Sequence, residues 1–367
     1  MPSLAPRLDA LLERMVQEGA SDLHLSAGHR PHWRIDGEMR PLNDAGLLGG
    51  DEVRALLHPV MDERQREQFT EFGDADFAYA VPGLARFRVN VFRDHHGVSA
   101  VLRLIPSKIL GIDQLGLPAV VQTFCDLPKG LVLVTGPTGS GKSTTLAAMI
   151  DSINRGQKTH IVTIEDPIEF LHTSQRSLIN QRELGGHTKS FARALRASLR
   201  EDPDVILVGE LRDPETIAMA MTAAETRHLV LGTLHTTSAV KTIDRMIDAL
   251  PADEREQTKS FLAQSLIAVI TQVLVKRPEG RGRRAVCEVM VMNRAIAKLV
   301  QTDQTHQIPA QLQTGKDLSM ELMDQALQRA IMAKEVDPDD AYTYASDKKL
   351  FSKFVVDRSL LPRFETL

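Results

Sequence analysis

Cysteine is nearly missing from this chain: among 367 residues only Cys125 and Cys287 occur, far apart and with no C-x-x-C. That excludes a disulfide framework and a four-cysteine zinc site, and it suits a reducing compartment. No run of about 18 apolar residues is present, so no membrane-spanning helix is expected. Nor does the chain open with the charged start and apolar centre of a signal peptide. Neither sign of charge dominates, since 44 Lys and Arg stand against 48 Asp and Glu for a net charge of −4. That balance argues against a general nucleic-acid surface. Internal repeats and low-complexity tracts are also absent. Together these absences predict a cytoplasmic protein with no nucleic-acid partner and no direct membrane insertion, free to dock on a membrane complex.

What is present is an ordinary globular composition, 43% hydrophobic and 25% charged, in a chain long enough for two or three domains. Residues 1–105 read as a separate α/β domain. A helix over 8–17 precedes an alternating strand over 21–25, and Asp36-Gly37 is a hairpin signal between Trp33-Arg34-Ile35 and Met39-Arg40-Pro41-Leu42. A polar helix over 51–69 and strands over 77–81, 86–92 and 98–105 complete four or five strands and two helices, a small sheet covered on one face. Residues 106–118, with Gly111 and Gly116, read as a linker. From about Val120 apolar strands alternate with helices, which predicts a mainly parallel sheet with strands over 131–135, 160–164, 205–208 and 229–233. Helices are expected over 143–153, 190–200 and 214–225. Beyond Pro251 the chain reads as largely helical, and its last stretch, 337–367, reads as polar and loosely packed.

The run Gly136-Pro137-Thr138-Gly139-Ser140-Gly141-Lys142-Ser143 fits G-x-x-x-x-G-K-[ST], between an apolar strand and a helix that begins at Thr144. In that setting backbone N–H groups and the positive end of a helix surround phosphate oxygens. Lys142 would reach the β- and γ-phosphates and Ser143 would ligate Mg²⁺. The chain is therefore expected to bind ATP or a similar triphosphate.

Carboxylates narrow the chemistry. An apolar strand ends in Glu165-Asp166-Pro167-Ile168-Glu169, and strand ends of a parallel sheet open onto the ligand crevice. Glu165 is thus a candidate to polarise a water aimed at the γ-phosphate, while Asp166 and Glu169 serve equally well as helix caps. A second strand, Val205-Ile206-Leu207-Val208, ends in Gly209-Glu210 where the metal-binding strand of such enzymes normally ends in Asp. Glu210 is left to act on the metal or on the attacking water. His228 and His235 bracket a third strand and are candidates to sense the γ-phosphate.

Phosphate loop, acidic box, Gly-Glu strand and histidine box occur in an order that resembles the secretion-motor ATPases, and within them the branch that retracts type IV pili. The resemblance runs from about Leu11 to Gln328. It is carried most specifically by Gly-Ala-Ser-Asp-Leu-His at 19–24, Arg-Phe-Arg-Val-Asn at 86–90 and Leu-Arg-Glu-Asp-Pro-Asp-Val-Ile-Leu-Val-Gly-Glu at 199–210. It implies a homohexameric ring with a PAS-like N-terminal domain (1–105), a linker (106–118), a RecA-like ATPase core (119–290) and C-terminal helices and tail (291–367). It also implies ATP completed by arginines of the N-terminal domain, and as partners an inner-membrane platform protein and a paralogous retraction ATPase. In Arg86-Phe87-Arg88-Val89-Asn90-Val91 and Ala100-Val101-Leu102-Arg103-Leu104, arginines alternate with apolar residues. Arg88 and Arg103 are the leading candidates for phosphoryl-charge stabilisation, with Arg86 and Arg93 behind them.

Two stretches depart from the family pattern. Arg227 stands where glycine is usual, and 295–302 reads Ala-Ile-Ala-Lys-Leu-Val-Gln-Thr, without the arginines and glutamate linked to retraction. The family's assembly ATPases usually carry a further N-terminal domain and a four-cysteine zinc site, and the lack of both here favours retraction. A non-hydrolysing ring partner is the other reading, opposed by Glu165 and Glu210. A small-molecule kinase is a third, and it leaves the arginine strands unexplained. The charged stretch 276–284 reads as a solvated hairpin tip, and the arginines at 193, 196 and 200 share one helix face.

Overall fold

The computed structural model describes the chain except residues 1–4, 36, 106–107, 281 and 362–367. It contains two compact units, one of residues 1–108 with 167–171 and the other of the remaining residues. Asp36 of the hairpin signal, the first two residues of the expected linker, Arg281 of the charged stretch and the end of the tail lie outside the described residues.

The first unit runs α1 (Ala5–Gln17), β1 (Asp22–Leu25), β2 (His32–Ile35), β3 (Glu38–Pro41), α2 (Gly50–Leu57), α3 (Glu63–Phe72), β4 (Asp74–Val81), β5 (Ala85–Asp94) and β6 (Gly97–Ile105). Its sheet has six strands rather than four or five, in the order β3-β2-β1-β6-β5-β4, and its described pairings are antiparallel. The single helix expected over 51–69 is two. Pro59 sits in a 3-10 turn over His58–Val60, and Asp62 starts α3 with a capping box, accepting from the Gln65 N–H at 2.8 Å. Alternation along β5 divides the sheet's faces. Phe87, Val89 and Val91 enter a core with Leu12 of α1, Leu56 of α2 and Phe69 of α3, while Arg88 and Asn90 point the other way. Each large apolar side chain removed from water in this way contributes about 1.5–3 kcal/mol.

The second unit opens with α4 (Ile112–Leu115), α5 (Val120–Cys125), β7 (Gly130–Thr135), α6 (Lys142–Gly156), β8 (His160–Glu165) and β9 (Leu178–Glu183). It continues with α7 (Phe191–Ser198), β10 (Val205–Val208), α8 (Pro214–Thr226), β11 (Leu229–Leu234), α9 (Ala239–Asp248), α10 (Arg255–Ser265), β12 (Leu266–Lys276) and β13 (Arg283–Val291). Five helices follow: α11 (Arg294–Gln301), α12 (Ile308–Thr314), α13 (Met323–Met332), α14 (Pro338–Tyr344) and α15 (Lys348–Phe351). Seven strands lie in the order β13-β12-β7-β11-β10-β8-β9, all parallel to their neighbours except β13. Both faces are covered, which is why the strands read as nearly unbroken apolar runs. Leu131 and Leu133 pack toward α8 and α10, whereas Val132 and Val134 pack toward α5 and α6.

The expectation of helix beyond Pro251 is corrected here. Residues 266–276 and 283–291 form the paired strands β12 and β13, and the run Ile267-Ala268-Val269-Ile270-Thr271, four of its five residues β-branched, is the strand signal. The described part of the tail is packed rather than loose: Phe351, Ala341 and Tyr342 are buried against Val273 and Val275 of β12. The charged stretch does connect β12 to β13 as a hairpin. Among the described residues no helix is long and apolar enough to cross a membrane.

Candidate active site

Every strand that contributes to the site ends at the same edge of the parallel sheet. The phosphate loop leaves β7, His235 follows β11, Glu210 follows β10 and Glu165 closes β8. A parallel sheet of this kind gathers strand ends into a ligand crevice.

The loop's shape follows from its neighbours. Gly136, Gly139 and Gly141 all have positive φ, and a Cβ at Gly136 would lie 2.2 Å from the Gln272 carbonyl oxygen. The loop is therefore pressed against β12 as well as strained, and only glycine fits. Gln272 itself is 2% exposed. Its Nε2 donates to the Ser140 carbonyl at 2.7 Å and its Oε1 accepts from Thr145 Oγ1 at 2.7 Å, tying loop and α6 to β12. Beside it Thr135 and Thr271 share a hydrogen bond of 2.9 Å. Ser190, Asp213 and Ser238 cap α7, α8 and α9 with their side chains, but no side chain caps α6. Its first N–H groups are left to the loop's ligand. Thr138 and Gly139 are exposed at the loop tip, Ser143 is exposed in the first turn of α6, and Thr144 is half-buried beside it.

Lys142 is buried, and its Nζ donates to the carbonyls of Gly136 at 2.9 Å and Pro137 at 3.0 Å. The same Nζ stands 3.4 Å from His235 Nδ1. His235 Nε2 is 3.1 Å from Glu210 Oε1, and the other oxygen of Glu210 takes Arg212 Nη2 at 2.7 Å. Burial alone would push the Glu210 carboxyl up; the hydrogen bond and charge of Arg212, aided by His235, outweigh it and hold the carboxyl below its ordinary 4.5. An ionised Glu210 at neutral pH follows. Glu165 is held differently, accepting from Thr163 Oγ1 at 2.6 Å and Gln181 Nε2 at 3.1 Å.

Gly209 explains the missing Asp. Its N–H donates to the Ile164 carbonyl at 2.8 Å, and a Cβ there would come within 3.2 Å of Glu165 Cα. The strand ends at Glu165 and Glu210 touch because residue 209 has no side chain. Thr233 Oγ1 donates to the Gly209 carbonyl at 2.5 Å and closes the same junction.

Not every expected residue belongs here. His228 precedes β11 and so stands at the opposite edge from His235, a separation of roughly 20 Å for a six-residue strand. It is buried, with Nδ1 3.0 Å from the Ala223 carbonyl, where it packs the end of α8; its candidacy as a phosphate sensor is corrected. Arg227 beside it has φ −161°, outside the positive-φ region that favours glycine, so no glycine is required there; its guanidinium pairs with Asp202. Glu169 belongs to the segment 167–171 that groups with the first unit, where Arg86 Nη1 donates to the Ile168 carbonyl at 2.8 Å. Asp166 lies close enough for its charge to act on Arg212.

In the first unit Arg88 and Arg103 are direct partners in the β5–β6 register and share the face away from the helices. Each is oriented by an acid: Arg88 grips Asp76 through Nε and Nη2, and Arg103 Nε donates to the buried Asp22 at 2.7 Å. Arg93 lies on the opposite, helix-covered face with Val91, which removes it from that set. Cys125 and Cys287 are buried, and burial pushes both thiols up to about 12, so neither is a nucleophile. Gln272, Thr163, Gln181 and Arg212 belong to no motif: the first three are single polar residues within strands, and Arg212 is an exposed cation in the connection after β10. The buried Gln in the strand 266–276 was the one available signal.

A glycine loop at the carboxyl edge of a doubly covered parallel sheet, with a lysine, two acids and a histidine converging on it, defines a phosphate-loop nucleotide-binding ATPase core. The chain belongs to the type II/IV secretion system protein family, whose description matches residues 2–338. It is 52% identical over 324 residues to the "type IV pilus retractation ATPase PilT" of Pseudomonas aeruginosa, covering 88% of this chain and 93% of that one. It is 50% identical over 322 residues to the "twitching motility protein" of Neisseria gonorrhoeae, covering 88% of this chain and 86% of that one. A solved structure of "the pilus retraction motor PilT and bound ADP" superposes with a TM-score of 0.86 at 43% identity, covering 94% of this chain and 98% of the other.

Proposed function

We propose that this protein is an ATP-hydrolysing motor that retracts type IV pili, working as a homohexamer at the cytoplasmic face of the inner membrane. The observation that carries the reading is the hydrogen-bonded chain Lys142–His235–Glu210–Arg212 at the phosphate loop. Binding of nucleotide needs the loop alone; a lysine connected to an ionised carboxylate through a histidine suits a site that responds to the γ-phosphate and hydrolyses it. The relatives named above supply the mechanical task. Residues 1–105 serve as a PAS-like domain and 119–290 as a RecA-like core, joined through 106–118 and followed by C-terminal helices over 291–367. Arg88 and Arg103, each oriented by its acid, are assigned to phosphoryl charge.

Mg²⁺ fits the donors present: Ser143 exposes a hydroxyl in the first turn of α6 and Glu210 is held ionised. Magnesium takes few protein ligands and completes its shell with water and phosphate, which agrees with the lack of any three-residue His/Cys/Asp/Glu metal cluster among the described residues. When bound, it would neutralise developing charge on the phosphates. Glu210 is already engaged by Arg212 and His235, so Glu165, which accepts from Thr163 and Gln181 at the neighbouring strand end, is assigned to orient and polarise the attacking water. Lys142 and the α6 N–H groups bind the phosphates. His235 links Lys142 to Glu210, so that movement of the lysine onto a phosphate is felt at the carboxylate.

The partners are further copies of this chain, an inner-membrane platform protein and a paralogous retraction ATPase. The test is twofold. Purified protein should release phosphate from ATP, and Glu210→Ala should abolish this. Deletion of the gene should leave cells with many surface pili and no surface motility. Bald cells would overturn retraction in favour of assembly, and phosphate release unaffected by Glu210→Ala would overturn the site assignment.

A further inference from the structure

The first unit holds a cavity of about 340 Å³ under the helix-covered face of its sheet, between α2, α3, β5 and β6. Leu57, Phe69 and Val91 form part of its wall, and Arg54, Arg66 and Arg93 line it as well. No Asp or Glu is among the lining residues.

Three arginines around one apolar cavity with no carboxylate in its lining need an explanation, because several other arginines in this unit are matched with acids. Arg14 pairs with Asp44, Arg88 with Asp76 and Arg103 with Asp22. Arg54, Arg66 and Arg93 form no ion pair among the described residues. Arg66 is the most telling: Nη2 donates to the His58 carbonyl at 3.0 Å, but Nε is shut away from solvent with no hydrogen-bond partner among the described residues. An N–H in that position is costly unless something accepts from it. The Arg93 guanidinium lies over the Phe69 ring, 5.0 Å from its centroid, which fixes its plane at the cavity wall.

We infer that the cavity binds a small amphipathic anion, a carboxylate, sulfonate or phosphate ester carried on a short apolar chain or ring. The apolar wall takes the body, and the planar N–H forks of the arginines take the head, a geometry suited to bidentate oxyanions. The volume lies within the range of about 300–1,000 Å³ usual for small-ligand sites. The site involves no residue of the phosphate loop, so it stands apart from the ATPase reading.

The full-length protein, kept in saturating ADP so that the phosphate loop is filled, is titrated with the fluorescent probe 8-anilinonaphthalene-1-sulfonate. One saturable dye site per chain is expected, displaced by decanoate but not by decanol or inorganic phosphate. Arg54→Ala with Arg93→Ala should weaken dye and decanoate binding by at least about tenfold. Arg64→Ala, an exposed arginine of α3 that does not line the cavity, should leave both unchanged. Arg54→Glu reverses one exposed charge without touching the Arg93–Phe69 contact, and it should give the same loss even if the double variant fails to fold. Absence of a saturable site, unchanged binding in the Arg54→Glu variant, or displacement by decanol as good as by decanoate would overturn the inference.

Discussion

His235 joins Lys142 to Glu210: Nδ1 stands 3.4 Å from the lysine Nζ and Nε2 stands 3.1 Å from the glutamate Oε1. An ammonium group only donates, so Nδ1 accepts, and in the neutral ring the proton sits on Nε2 and is donated to Glu210. The partners alone assign this tautomer. His235→Ala cuts the link while leaving the phosphate loop's own bonds in place. It should lower kcat about ten- to a hundredfold with little change in KM for ATP, since the lost interaction serves the transition state. Steady-state phosphate release measures it, and a raised KM at unchanged kcat would show that His235 merely helps bind nucleotide.

Gly209→Asp restores the carboxylate usual at this strand end but should not raise activity. The new Cβ would meet the Ile164 carbonyl at 3.1 Å and Glu165 Cα at 3.2 Å, forcing β8 and β10 apart where both candidate acids sit. A misplacement of about 1 Å in such a site can cost a hundredfold in rate. The expected result is kcat reduced at least about tenfold with the protein still folded by circular dichroism. Activity equal to the parent would show that the two acids do not depend on this contact.

Gln272→Leu keeps the volume of a buried residue while stranding the Ser140 carbonyl and the Thr145 hydroxyl. An abandoned buried partner costs about 1–3 kcal/mol, so unfolding free energy should fall by about 2 kcal/mol and KM for ATP should rise as the loop loosens. Denaturant titration and kinetics check the two parts separately. Unchanged stability would mean that Gln272 contributes nothing beyond its packing.

Glu288 is buried on β13, and its two oxygens accept from the N–H groups of Ala239 at 2.7 Å and Met323 at 3.2 Å, joining the starts of α9 and α13. Burial raises its carboxyl above the ordinary 4.5, against the pull of those two N–H donors. A folded-state pKa raised above the unfolded one adds stability that is complete below the unfolded value and is lost as pH rises through the folded value. Glu288→Gln, neutral at every pH, should remove that dependence. The difference in melting temperature between parent and variant should therefore shift in favour of the variant as pH rises from about 4 upward. A difference constant from pH 4 to 8 would show that Glu288 does not titrate with folding.

The strands over 131–135, 160–164, 205–208 and 229–233 were legible because burial on both faces turns a strand into a short apolar run bounded by polar residues. The phosphate loop was legible because its glycines, lysine and serine are set by local backbone geometry and one ligand class. Strands β12 and β13 are not legible in the same way, because apolar content over a long stretch does not by itself separate period two from a buried helix. His228 and His235 looked equivalent, since flanking the same strand hides the fact that its two ends open on opposite edges of the sheet.

The amino-acid sequence by itself determined the chemistry available: a triphosphate loop, acids at two strand ends, a histidine at a third, and arginines alternating with apolar residues. Those features depend on neighbours a few residues away and on the two-residue period of a strand. Only the tertiary structure decided which of them act together. Sheet order put Gln272 against the loop from 132 residues further along the chain, pressed Gly209 onto Glu165, and paired Arg88 with Arg103. Contacts of that kind arise where distant segments are packed to the density of a solid, and no local pattern records them.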